Sequence, residues 1–172
     1  MSRHTQGHDT PQVKLPRNLC FGCGADNPEG MRLKFAPAKD GRSFVCRFRL
    51  SQRYLGPPGH AHGGIIATIL DEAMGKANKL RQVVALTREM KVEYLRPVPL
   101  GKPLVAEGRH RSRRGRVHIN QAEIRTRGGE VLARSRGKFI AIDAAKMFGK
   151  YVRNGGSAFT LVPPERTGKT NA

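Results

Sequence analysis

Tryptophan is absent from this 172-residue chain, aromatic residues make up only 6%, and acids are scarce. Asp plus Glu number 13 against 32 Lys plus Arg, a formal net charge of +19. No run is long and apolar enough to span a bilayer, so membrane insertion is not expected. Residues 1–17 carry no apolar core of a secretory signal, and Asp9 and the prolines among them argue against a transit peptide. Cysteines number 3, an odd count that argues against a disulfide scaffold and fits a reducing cytoplasm, the expected location. Cys20 and Cys23 form one CxxC, but a structural zinc site needs four ligands and there is no second pair, so no metal is expected. Neither GxGxxG nor GxxxxGK[ST] occurs, which removes the common nucleotide-fold signatures, and no cofactor is expected.

What is present is positive charge, one apolar helix and a series of strands. A charge of +19 attracts polyanions, whether nucleic acid, a membrane surface or the phosphates of coenzyme A. The charges are spread along the chain, which equally fits a generally basic surface. The length suits one domain with tails. Residues 1–17 are polar and basic and read as a disordered arm, residues 18–142 as the domain, and 143–172 as a tail mixing Gly, Pro and Lys.

Within the domain, Phe44, Cys46, Phe48 and Leu50 alternate with Val45, Arg47 and Arg49, predicting a strand with one buried face. A helix is expected from about Gly63 to about Leu80. Its apolar residues, Ile65, Ile66, Ile69, Leu70, Ala73, Met74, Ala77 and Leu80, cover about half its circumference, so something must wrap it. Strands follow: Met90, Val92 and Tyr94 in alternation, then Leu104 to His110, Val117 to Thr126 and Glu130 to Ile142. Turns are expected at 112–115 and 127–129. The apolar phase of Val117, Ile119, Ala122 and Ile124 slips by one, which predicts a bulge. One long helix followed by antiparallel strands is an α+β pattern.

The helix opens on Gly59-His60-Ala61-His62-Gly63-Gly64 and carries Asp71 and Glu72 in its third turn. A helix start presents unpaired N–H groups and the positive end of the dipole. Two glycines let a substrate oxygen approach closely, so a carbonyl gaining negative charge can be held there. A carboxylate deeper in an apolar helix supplies the rest of what acyl transfer to water needs.

This stretch resembles the His-Gly-Gly signature of hotdog-fold acyl-CoA thioesterases of the PaaI-like type. Cys20-Phe21-Gly22-Cys23-Gly24 with Asn27-Pro28-Glu29-Gly30-Met31 is similar to that family's N-terminal motif. Tyr54 to Gly59, Thr87 to Pro99, Gly129 to Ala133 and Gly137 to Phe139 resemble its later motifs, in order, over residues 18–142. The resemblance implies the hotdog fold, an antiparallel β-sheet wrapped around a long central α-helix, and hydrolysis of an acyl-CoA thioester to CoA and a carboxylic acid. Coenzyme A is then part of the substrate rather than a cofactor. The resemblance further implies a site shared between subunits, hence a homodimer, often paired into a homotetramer.

Asp71 lies nine residues after His62, where the family's catalytic Asp or Glu falls. It could act as a base on water or as a nucleophile forming an anhydride. Glu72, four residues before Lys76, suits a solvated ion pair. Thr87 stands where relatives carry a catalytic-site Ser or Thr and could orient the water, although its type also suits a strand. Gly64, with Gly63 the lesser candidate, would donate N–H to the thioester oxygen. His62 would shape the turn and His60 belongs to the loop. Arg111, Arg113, Arg114 and Arg116 in a hairpin turn are candidates for the nucleotide phosphates of CoA, or a solvated basic turn. Two other functions compete. A non-catalytic hotdog module could bind acyl-CoA as sensor or carrier, against which Asp71 argues. A nucleic-acid binder could use the basic tails, but no reader motif supports specific binding.

Overall fold

The computed structural model describes residues 18–148. The expected arm, 1–17, and the tail from 149 onward lie outside the described residues. Six strands form one antiparallel sheet: β1 (Ala36–Pro37), β2 (Ser43–Phe48), β3 (Ala85–Tyr94), β4 (Leu104–Arg114), β5 (Val117–Thr126) and β6 (Val131–Ala141), in the order β1-β2-β4-β5-β6-β3. Between β2 and β3 runs α1 (Gly63–Ala77), which carries the chain across to the far edge, where β3 pairs with β6. A short α2 (Ala144–Phe148) begins what the sequence presents as tail. A sheet packed around one long helix is the hotdog fold expected above.

The helix buries Ile66, Ile69, Leu70, Ala73, Met74 and Ala77 against Cys46, Leu104, Ala106, Ile124, Leu132 and Phe139 on the inner face of the sheet. Small residues set how closely the two layers approach. A Cβ on Gly108 of β4 would overlap the Ala73 carbonyl oxygen of α1, and one on Gly137 of β6 would lie 3.2 Å from Met74 Cε. The helix ends earlier than its apolar periodicity predicts. Residues Asn78–Arg81 tighten into a 3₁₀ turn, and Gln82 stops it at φ 53°. Asn78 is held there, its Oδ1 accepting from buried Asn120 Nδ2 at 2.8 Å.

That same Asn120 explains a correction. The predicted bulge on β5 is not there: His118, Asn120, Ala122 and Ile124 face inward in unbroken alternation. The apolar phase slips because two inward positions are polar. Asn120 Nδ2 also donates to the Met74 carbonyl at 2.8 Å, and the His118 ring lies 3.3 Å from His110. The irregularities sit on the flanking strands: at Arg111 of β4, between the pairs His110–Asn120 and Ser112–Ile119, and at Leu132 of β6, between the pairs Ile124–Ala133 and Arg125–Val131. The hairpin turn is also shorter than expected. β4 runs on to Arg114, and the reversal falls at Gly115 (φ 57°) and Arg116.

Candidate active site

The loop before α1 is folded back on itself. Leu55 and Ala61 form an antiparallel bridge, and the His62 N–H donates to the Tyr54 carbonyl at 2.9 Å. Gly56 permits this, since a Cβ there would stand 2.7 Å from His62 Cα. His60, as expected, is occupied within the loop, its Nδ1 2.8 Å from the Pro58 carbonyl.

His62 is the N-cap of α1. Its Nδ1 accepts from the Gly64 N–H at 3.0 Å, so that nitrogen is the unprotonated one. Its carbonyl accepts from Ile65 and Ile66 at 3.0 and 3.2 Å. The expected local role of His62 is therefore what its geometry supports. The Gly64 N–H, expected first for a substrate oxygen, is engaged by the imidazole. Among the described residues the Gly63 N–H is the first-turn donor with no partner. Tyr94, at the end of β3, was not singled out from the sequence. Its hydroxyl donates to the Gly63 carbonyl at 3.2 Å, and its ring lies 3.7 Å from where a Gly63 Cβ would be. Its signal was its phase with Met90 and Val92, which turns it toward the helix.

Asp71 sits two turns further along. Thr87 Oγ1 donates to Asp71 Oδ1 at 2.7 Å, so the two predicted polar residues meet. Arg88 is bulged out between the pairs Thr87–Phe139 and Glu89–Lys138, a local irregularity of the kind that re-aims neighbouring side chains. Burial pushes the Asp71 carboxyl above the usual Asp value; the Thr87 hydrogen bond pulls it partly back, and the negative Glu72 adds to the rise. Eight residues at 1.5 Å each separate Asp71 from Gly63 by about 12 Å along the axis. One helix therefore does not bring its own N-terminus and its own carboxylate to one carbonyl.

Glu72 departs from the expected solvated pair. It does lie 3.7 Å from Lys76, but the two side chains are only 19% and 20% exposed. The CxxC loop closes over them. The Cys20 thiol donates to Glu72 Oε1 at 3.2 Å, and Lys76 Nζ donates to Cys23 Sγ at 2.8 Å. A Cβ on Gly22 would come within 2.6 Å of Glu72 Oε1, so only glycine lets the loop settle there. The Cys20 and Cys23 sulfurs and a Glu72 oxygen lie within 4.8 Å of one another, the one such group among the described residues. Three ligands fall short of a closed structural metal site, and the Lys76 ammonium already supplies positive charge beside them.

The four arginines lie elsewhere. Arg111, Arg113 and Arg114 belong to β4 and only Arg116 to the turn, and all four are exposed. Arg113 donates to the Gly115 carbonyl at 2.8 Å and Arg116 to the Ala141 carbonyl at 3.1 Å. Arg113 pairs with His118, His118 with Phe139, and Phe139 with Thr87. At about 4.8 Å per strand, that sets Arg113 roughly 14 Å across the sheet from Thr87. A groove of about 680 Å³ lies on the outer face, between residues such as Lys91, Arg109, Arg111 and Arg136, away from Asp71.

A family model described as the thioesterase superfamily matches residues 58–133, from the helix lead-in to β6. Acyl-coenzyme A thioesterase THEM4 of Xenopus laevis is 31% identical over 91 residues, 53% of this chain and 41% of that protein. The chain spans about half the length of the curated relatives it matches. A solved thioesterase superfamily protein superposes with a TM-score of 0.64 at 34% identity, covering 67% of this chain and 59% of that one. A Bacillus halodurans protein solved with CoA gives a TM-score of 0.57 at 29% identity, covering 64% of this chain and 74% of that one. Among the described residues, no helix is long and apolar enough to cross a membrane.

Proposed function

We propose that this chain, a member of the hotdog-fold thioesterase superfamily, hydrolyses an acyl-CoA thioester to free CoA and a carboxylic acid. The observation that carries the proposal is the half-buried Asp71, held at 2.7 Å by the Thr87 hydroxyl on a helix that begins with an unoccupied Gly63 N–H. Thr87 occupies Oδ1 and orients the carboxylate, leaving Oδ2 to take a proton from water as that water attacks the thioester carbon. A carboxyl raised by burial is a better base than an ordinary aspartate. The thioester oxygen, gaining charge, is held at the helix start, where Gly63 rather than Gly64 has its N–H free. His62 fixes that turn, and Tyr94 fixes the Gly63 carbonyl.

Gly63 and Asp71 of one helix stand about 12 Å apart, whereas an oxygen's donor and the base attacking its carbon must converge within a few Å of the reacting atoms. The site is therefore completed by a second copy, in a homodimer whose pairing into a homotetramer would follow the family. Leu86, Tyr94 and Leu95, each at least 42% exposed along or just beyond the edge strand β3, support association on that side. In this reading Arg111, Arg113, Arg114 and Arg116, exposed around the β4–β5 hairpin, receive the phosphates of CoA. Their distance from Thr87 suits a substrate whose thioester lies at the end of a long arm.

The test is free-thiol release from short, medium, long and aromatic acyl-CoAs by wild type and Asp71→Ala. Turnover that falls at least ~100-fold in the variant, with the dimer intact, is expected for loss of a general base. Acyl-CoA binding without turnover by the wild type would replace the enzyme by a sensor or carrier. Salt-sensitive DNA binding without acyl-CoA binding would favour the polyanion reading.

A further inference from the structure

The Cys20-Cys23 loop takes no part in the proposed hydrolysis, yet it is built with care. Gly22 and Gly24 both sit where a side chain has no room: a Cβ on Gly24 would lie 2.5 Å from the Cys20 carbonyl oxygen. The Gly24 N–H closes the turn onto that carbonyl at 2.8 Å, and the Leu33 N–H ties Gly22 down at 2.9 Å. The result is two thiols held together, both partly exposed, against a carboxylate and an ammonium from successive turns of α1. Cys46, the third cysteine, is 1% exposed in the core and has no such surroundings.

Each neighbour has a chemical use. The Cys20 thiol points its proton at Glu72 Oε1, 3.2 Å away, so a proton acceptor is in place. Lys76 Nζ, 2.8 Å from Cys23 Sγ, favours negative charge on that sulfur. A plain structural loop needs neither group, and three ligand atoms fall short of a closed metal site. We propose that Cys20 and Cys23 form a thiol–disulfide exchange site for low-molecular-weight disulfides such as glutathione disulfide.

In the first step Cys20 gives its proton to Glu72, and its sulfur attacks one sulfur of the small disulfide. The Cys20–S bond forms, the disulfide bond breaks, and one thiolate leaves and takes up a proton. In the second step the Cys23 thiol gives up its proton to solvent, and its thiolate, stabilised by the Lys76 ammonium, attacks Cys20 Sγ. The Cys20–Cys23 bond forms, the mixed disulfide breaks, and the second small thiolate leaves and is protonated. Two protein thiols lose two electrons and two protons, and one disulfide gains both to become two thiols. A hydrogen bond from the Cys23 thiol, more than any other factor, lowers Cys20 and raises Cys23, so Cys20 is the sulfur that ionises first and attacks.

The reduced full-length protein, incubated with mixtures of glutathione and its disulfide and quenched in acid, is read by intact mass and peptide mapping. A loss of two hydrogens, mapped to a Cys20–Cys23 disulfide and reversed by excess glutathione, is expected, with Cys46 unreacted. Cys23→Ser should trap one glutathione on Cys20, because the resolving thiol is gone, and Glu72→Gln should slow the first step. Retention of both thiols across all mixtures would overturn the proposal, as would attack at Cys46 first. Stoichiometric zinc on the reduced protein that shields both cysteines would also overturn it, in favour of a metal site. The wild-type experiment decides the matter by itself if either variant fails to fold.

Discussion

Thr87→Val removes one hydroxyl from the candidate site and little else. Valine has nearly the same shape and is favoured in strands, so β3 should persist. What disappears is the 2.7 Å bond that Thr87 Oγ1 donates to Asp71 Oδ1. A hydrogen bond to a charged group contributes about 1.5–3 kcal/mol, and because Thr87 is exposed the lower end applies. Losing the bond removes support for the ionised form, so the Asp71 carboxyl, already raised by burial, should rise further. The proposed base acts only when ionised, so kcat/KM falls as pH drops through the Asp71 value. In Thr87→Val the midpoint of that fall should move up, making the variant about tenfold slower than wild type well below the midpoint, since about 1.4 kcal/mol is a factor of ten. Far above the midpoint the difference should shrink to what Thr87 contributes by orienting the ionised carboxylate. Carboxyl NMR of Asp71 gives the same shift without turnover. Stability follows with a definite sign. A carboxyl whose folded value exceeds its unfolded value contributes most below the unfolded value, and that contribution is lost as pH rises through the folded value. The extra loss in Thr87→Val should therefore appear only at pH above the Asp71 value and vanish in acid. A midpoint that stays put, or moves down, would refute the assignment of Asp71 as the base and Thr87 as its partner.

Two further predictions concern the scaffold. Gly108→Ala drives a methyl into the Ala73 carbonyl of α1, which neither the helix nor β4 can avoid, and should cost about 3 kcal/mol or more in urea unfolding. Asn120→Ala leaves the Met74 carbonyl and Asn78 without their buried donor and should cost about 2 kcal/mol, with hydrogen exchange fastest around Asn78–Arg81.

Much of the fold could be read from the chain because its signals are local. The run Ile66, Ile69, Leu70, Ala73, Met74 and Ala77 has one helical face whatever it packs on, and β2, β3 and β6 announce themselves by alternation. Family resemblance placed Asp71 and Thr87 at one site, but their hydrogen bond was not anticipated, since 16 residues separate them and no spacing rule joins a helix to a strand. Errors fell where a neighbour outranked local pattern. Asn120 and His118 occupy inward positions because each finds a polar partner there, Asn120 the Met74 carbonyl of the helix and His118 the His110 ring of β4, so counting apolar residues shifted the bulge onto the wrong strand. Arg113 and Arg114 extend β4 because Val117 and His118 lie opposite to pair with them.

By itself, then, the sequence determined the long helix and the strands from β2 to β6, that one apolar helix must be wrapped, and that His62-Gly63-Gly64 opens it, because periodicity and capping act over a few residues. Only the tertiary structure decided which first-turn N–H is free, that Tyr94 closes over Gly63, and that Glu72 faces two thiols instead of water. The Tyr94–Gly63 and Cys20–Glu72 contacts join residues 31 and 52 positions apart, and they form only once the sheet has curled around the helix and brought those segments together.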